Sequence, residues 1–326
     1  LRVRQDYLLA EGLLAPYGEG SDNPAMANFS LARIRQLSAH EVGHTLGLEH
    51  NFAGSVNDRA SVMDYPFPLV TLDNDGNIDI SQAYDEGIGV WDKPAILWGY
   101  QDFPEGVNGS VARDAILKET LKSGLKFVGD RDSRHVGSAH IDGNLWDNGA
   151  DPVDELNRLM RVREHVVNNF SEANIPAGRP LATLEEVLVP MYLLHRFQLQ
   201  AAAKVIGGGY YTYNLKGDGQ PAFKHADAAQ QQRALTSLLD TLSPDALLLP
   251  NSVTRLISPR PPGFARDRET FDRKTRQLFD EYAPADAAIT LTLQALLEPS
   301  RGERINALQA SDTGFGLSHV MKELYD

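Results

Sequence analysis

The run His40-Glu41-Val42-Gly43-His44-Thr45-Leu46-Gly47-Leu48-Glu49-His50-Asn51 restricts the backbone more than any other stretch of this 326-residue chain. It contains three imidazoles at metal-ligand spacing, H-E-x-x-H-x-x-G-x-x-H. Residues i and i+4 of a helix share a face, so His40 and His44 can reach one ion. His50 cannot, because six residues past His44 on a straight helix is well over a turn away. The chain must therefore stop being helical between them. Gly47 permits this, since glycine adopts positive φ and lets the chain swing His50 back. Zinc accepts three neutral imidazole nitrogens and keeps a fourth position open for water. Glu41, beside the first ligand, is placed to take a proton from water held there. His40, His44 and His50 are thus the candidate metal ligands and Glu41 the candidate general base.

Thirteen residues past His50 stands Met63, in Ser61-Val62-Met63-Asp64-Tyr65-Pro66. An extended histidine motif followed by a methionine turn resembles the metzincin peptidases. That resemblance implies that Met63 forms an apolar floor beneath the histidines without binding the metal. It also implies that Tyr65 resembles a tyrosine that ligates resting zinc and then swings to hydrogen-bond the reacting carbonyl. From the residues alone, Tyr65 could equally be a packed turn aromatic with its hydroxyl on a backbone carbonyl. Asn51 departs from the better-known subfamilies, so their specificity is not carried over.

Composition narrows the rest. The chain is 42% hydrophobic and 23% charged, ordinary for a soluble globular protein of one or two domains. A net charge of −13 argues against non-specific binding to nucleic acid or anionic lipid. No apolar run approaches the roughly 18 residues that span a bilayer. Cysteine is absent, so the fold does not rest on disulfides and metal ligands must be His, Asp, Glu or Tyr. Thirty-nine residues, mostly of helical pattern, precede His40. They cannot supply the sheet subdomain that lies upstream in metzincins, so that subdomain is expected outside this segment.

The periodicity predicts a mainly α (α+β) fold. A helix over 1–15 is followed, after Pro16 and Gly18, by an active-site helix over about 24–46, started by Asp22 or Asn23. An irregular loop over 51–68 holds the methionine turn. A hairpin is expected around Asp75-Gly76 in 70–80. The acidic cluster there does not match a calcium-binding EF-hand loop, because Gly76 and Tyr84 fall at the wrong positions. Trp91–Tyr100 resembles the helix that packs beneath the active site in metzincins, with Trp91 and Trp98 expected in the core. Residues 1–103 then form the C-terminal part of the catalytic domain and 104–326 a mainly helical region packed on it.

Within that region Asp151-Pro152 should open an amphipathic helix. Thr183 and Glu186 should form a capping box for the next, which runs to Gly207-Gly208-Gly209. A second hairpin should join Tyr210–Tyr213 to Pro221–Phe223. Further helices are expected near 226–241, 244–249, 267–281, 285–297 and 301–309. Tyr210, Tyr211 and Tyr213 read as exposed-face hairpin aromatics rather than the lining of a groove. Asp130, Asp132, His135, His140, Asp142, Asp147, Asp151 and Asp154 are dense enough to leave a second metal, Ca2+, open alongside plain turns and caps. His165, His195, His225 and His319 read as surface or core residues.

Taken together, HEVGHTLGLEHNFAGS, SVMDYP, YDEGIGVWDKPAILWGY, LWDNGADP, YLLHRFQLQAAAKVIGGGYYTY and ISPRPPGF resemble the bacterial met-zincin domain family of zinc-dependent metalloproteases. The resemblance runs through nearly the whole chain. It implies one catalytic Zn2+, a protein or peptide substrate, and export to the periplasm, outer membrane or exterior of a Gram-negative bacterium. The expected activity is peptide-bond hydrolysis by zinc-bound water with Glu41 as base. Two alternatives stay open: a zinc-dependent amidase or deacylase acting on a small or cell-wall substrate, and a helical binding module fused to a processing protease.

Overall fold

The structure is a computed structural model that describes residues 2–18, 24–220, 222–310 and 315–325. Asp22, Asn23 and Pro221, expected as helix starts and hairpin residue, lie outside the described residues. The fold is mainly helical. α1 (Arg2–Leu14) and α2 (Pro24–Thr45) precede a short 3-10 turn at Ser55–Asn57, then α3 (Asp92–Tyr100), α4 (Gly109–Lys122) and the four-residue α5 (Asp130–Ser133). α6 (Pro152–Asn168), α7 (Leu184–Tyr192), α8 (Arg196–Ala203) and α9 (Ala228–Asp240) follow. The chain closes with α10 (Pro244–Leu247), α11 (Asn251–Thr254), α12 (Ala283–Leu296), α13 (Pro299–Ala310) and α14 (Leu317–Tyr325). Among the described residues no helix is long and apolar enough to cross a membrane.

Two small antiparallel sheets interrupt the helices. β1 (Thr71–Leu72) pairs with β2 (Ile78–Asp79), in the register Thr71 to Asp79. The Asp73 carboxylate accepts the Asp75 and Asn77 amides and closes the turn, which explains why this acidic cluster builds a hairpin. β3 (Gly209–Tyr211) pairs with β4 (Phe223–His225), Tyr210 facing Lys224.

α6 organises the core because its apolar positions recur at helical spacing on two flanks. Leu159, Val162 and Val166 join Leu8, Leu9 and Leu13 of α1 and Leu184, Leu188 and Met191 of α7 in one cluster. Val153 and Leu156 join Leu199 and Ala202 of α8 and Leu235 and Leu238 of α9 in another. The first cluster ties residues on both sides of the 103/104 division. As expected, Asp151 caps α6 by accepting the Val153 and Asp154 amides, with Pro152 in the first turn.

Four expectations are corrected. Thr183 forms no capping box: its backbone is already helical and its hydroxyl donates to the Pro180 carbonyl at 2.8 Å, while Glu186 pairs with Arg260. The helix from 184 does not continue to Gly207. Pro190 removes one amide from α7, and the buried Arg163 guanidinium captures the Tyr192 carbonyl at 2.6 Å, so the chain turns before α8 begins. Residues 267–281 are turns, not helix, because side-chain carboxylates take the amides a helix would use. Asp267 accepts Glu269 N, Asp280 accepts Lys274 N and Tyr282 N, and Glu185 accepts Phe271 N. Trp98 is 42% exposed on α3 rather than in the core, and Trp91 is half-buried, stacked on Phe127 at 5.6 Å.

Candidate metal centre

α2 ends as the motif demands. Gly47 has φ +80°, its amide reaches the His44 carbonyl at 2.9 Å, and the Leu48 amide reaches the Gly43 carbonyl at 3.1 Å. These are the two bonds of a Schellman cap. A Cβ at Gly47 would meet nothing within 4 Å, so only the backbone angle requires glycine there. Beyond the cap the chain reverses, and His50 comes to face His40 and His44.

The donor nitrogens of the three histidines lie within 4.8 Å of one another, the one such group of three or more His, Asp or Glu among the described residues. Each Nδ1 is occupied by a protein acceptor. His40 Nδ1 donates to the Val62 carbonyl at 2.7 Å, His44 Nδ1 to the Leu48 carbonyl at 2.9 Å, and His50 Nδ1 to Asp130 Oδ2 at 2.8 Å. Those acceptors fix the Nδ1–H tautomer on every ring and leave three Nε2 lone pairs converging. His40 Nε2 and His44 Nε2 are 3.0 Å apart, and the buried His50 Nε2 has no protein partner. Burial lowers the His40 pKa, and the nearby His44 and His50 rings lower it further, against the Val62 bond and Glu41. The ring stays neutral, as a metal ligand requires. A cation that prefers nitrogen fits this donor set. Glu41, next to His40, is exposed.

The methionine turn lies under α2. Met63 is fully buried, and its sulfur sits where a Cβ on Gly43 would stand 2.2 Å away. The turn is held by Asp92 of α3, whose carboxylate accepts the Ser61 hydroxyl at 2.6 Å, the Val62 amide at 2.9 Å and the Gly89 amide at 2.6 Å. Val62 in turn presents its carbonyl to His40. Tyr65 packs against His40 (centroids 5.3 Å), His50 (4.7 Å) and, stacked, Trp146 (4.8 Å). Its hydroxyl accepts from Arg134 Nη2 at 3.2 Å.

Sequence reasoning named Asp130 only as a candidate for a second metal and did not single out Arg134. Asp130 holds His50 and is bound on its other oxygen by Arg134, which reaches Tyr65. Burial would raise the Asp130 carboxyl, but the Arg134 guanidinium and then His50 hold it below the usual aspartate range. Asn51 explains its own departure from the common pattern. It is fully buried, donates to the Lys126 carbonyl at 2.9 Å and accepts the Val128 amide at 3.1 Å, which fixes the segment leading to Asp130. Asn51 sits next to a ligand, so its amide was the available signal.

The other acidic residues of 130–154 are committed to separate partners. Asp132 accepts the Tyr211 and Tyr213 hydroxyls, both at 2.7 Å; Asp142 pairs with Lys126 at 2.6 Å; Asp154 pairs with Arg233 at 2.6 Å; His140 bonds the Tyr211 carbonyl and the Asp142 amide. The hairpin tyrosines are therefore not merely exposed-face aromatics. They form one wall of a cleft of about 980 Å³ that opens onto His44 and His50.

Asp147 is buried behind the methionine turn, accepts the Ser55 hydroxyl at 2.9 Å, and with Asp64 lines a cavity of about 210 Å³. Burial pushes its carboxyl up to about 7, and pushes Asp64 well up, with Asp147 adding to it. In an unfolded chain an aspartate titrates near pH 4. Between about pH 4 and pH 7 the folded chain keeps a proton the unfolded chain has lost, so this group lowers stability as pH rises. Asp147→Asn should raise the melting temperature more at pH 8 than at pH 4.5, read by thermal unfolding at both. An equal change at the two values would refute the assignment.

A profile of the family described as Met-zincin matches residues 22–326. The chain belongs to the Met-zincin family. No curated protein and no solved structure matches it. Membership carries a zinc metalloprotease-type function at the level of the family, and the three-histidine group of this Met-zincin suits zinc.

Proposed function

We propose that this Met-zincin is a zinc endopeptidase with His40, His44 and His50 as the metal ligands. The observation that carries the reading is the convergence of three Nε2 atoms whose Nδ1 partners are all committed to protein acceptors. Zinc bound there would supply Lewis-acid polarisation and make water acidic near neutral pH. Glu41 takes the proton of the attacking water and hands it to the departing amine nitrogen. Tyr65 accepts from Arg134 and so keeps its own O–H for donation to the carbonyl oxygen as charge develops on it. Export from the cytoplasm, implied by the resemblance, belongs to the same proposal and is checked by cell fractionation.

The test pairs elemental analysis of the purified chain with a peptide-library digest. About one zinc per chain is expected, with cleavage that stops on chelation and returns with zinc. Turnover of small amides or acyl substrates with no peptide cleaved would replace this reading by the amidase one. Asp130→Ala should weaken zinc binding by about 10- to 100-fold, because His50 loses the acceptor that orients its ring. Competition against a zinc chelator measures it, and an unchanged dissociation constant would remove Asp130 from the role.

A further inference from the structure

We propose that the cleft beside His44 and His50 selects the substrate by taking one bulky apolar side chain, aromatic or branched aliphatic, that flanks the bond to be cut. The inference rests on the peptidase reading and adds to it a substrate class. At about 980 Å³ the cleft can hold a large side chain with its adjoining backbone. It is continuous with two of the three histidines, so a peptide engaged at the metal centre has a residue at its mouth.

Its chemistry points to carbon. Its lining includes Leu121, Leu125 and Phe127 together with Tyr210, Tyr211 and Tyr213. The charged groups between them are already matched: Asp130 with His50 and Arg134, Asp132 with two tyrosine hydroxyls, Asp142 with Lys126. His140 has both ring nitrogens bonded. A charged substrate group entering among these matched groups would lose water without gaining a partner from them. An apolar side chain gains from leaving water, and burial of one the size of Leu or Phe is worth ten-fold or more in affinity. Glu49 and Arg131, of opposite sign, also border the cleft and give it no net preference.

The test uses the zinc-loaded Glu41→Gln chain, which binds without turnover, and end-blocked hexapeptides that differ at one scanned position. In calorimetric titration the Phe and Leu peptides should bind at least ten-fold tighter than the Asp and Lys peptides. Adding Leu121→Glu should erase that margin and favour Lys. Leu121 is half exposed on α4, a helix with no buried residue, so the variant keeps its fold. Phe127→Glu, also half exposed, is the second variant. Four peptides within two-fold, no binding by any, or a margin that survives both substitutions would overturn the proposal. A wild-type library digest separates the two ideas. Discrimination by the Gln variant with no wild-type cleavage rejects the peptidase and keeps the cleft. Cleavage indifferent to flanking residues rejects the cleft and keeps the peptidase.

Discussion

Replacing Glu41 by Gln is expected to leave about one zinc per chain while peptide hydrolysis falls by on the order of 10²–10⁴-fold. Glutamine keeps the size and polarity of the side chain and removes its capacity to accept a proton. The three Nε2 donors and their Nδ1 partners are untouched, so metal content should hold. Glu41 is exposed on α2, and exposed substitutions usually change stability by less than about 0.5 kcal/mol. The decisive pair of measurements is kcat/KM on a cleaved library peptide and zinc by elemental analysis. Hydrolysis within a few-fold of wild type would reject Glu41 as the base. Loss of zinc together with activity would make it a structural residue instead.

Gly43→Ala should be nearly as damaging without touching a ligand or the base. The added Cβ would lie 2.2 Å from the Met63 sulfur, well inside contact distance. Neither side yields easily. Gly43 is mid-helix between two ligands, and Met63 is fully buried in a turn whose neighbours are bonded to Asp92. Overpacking of this kind costs about 1–3 kcal/mol, and relief by displacing α2 would spread His40 from His44. The expected result is a melting temperature lower by several degrees and weaker zinc binding. Met63→Ala alone leaves a cavity and should cost about 2–5 kcal/mol. The double variant should lose less than the two single losses combined, because each change removes the other's defect. Additive losses would show that the contact is not the reason for glycine at 43.

The histidine motif made both helix and stop legible, because one ion can be reached in only one way. α2 and the positive φ of Gly47 follow from that geometry. Met63 and Tyr65 were legible through the resemblance to the metzincin methionine turn. Local signals also placed the Asp73 hairpin and the Asp151 cap, where a side chain acts on its own neighbours. Several misses turn on a partner far along the chain. Arg163 ends α7 across 29 residues, Glu185 takes the Phe271 amide across 86, and Asp130 reaches His50 across 80. No periodicity encodes such bonds. Tyr211 and Tyr213 were read as exposed-face hairpin aromatics, whereas Asp132, on a separate element, holds both hydroxyls at the cleft.

One turn of chain, Asp130–Arg134, grips three things at once: a histidine through Asp130, the tyrosine after the methionine through Arg134, and the hairpin wall through Asp132. The proposed catalytic centre and the proposed specificity cleft are therefore mounted on a common bracket. A lineage that reshaped this turn to admit a different residue would also disturb the ion's surroundings, so diversification should run through the free faces of α4 and the hairpin tip. The same linkage offers a reporter. A fluorine label on Tyr213, whose hydroxyl is bonded to Asp132, should shift when metal is stripped from the zinc-loaded chain.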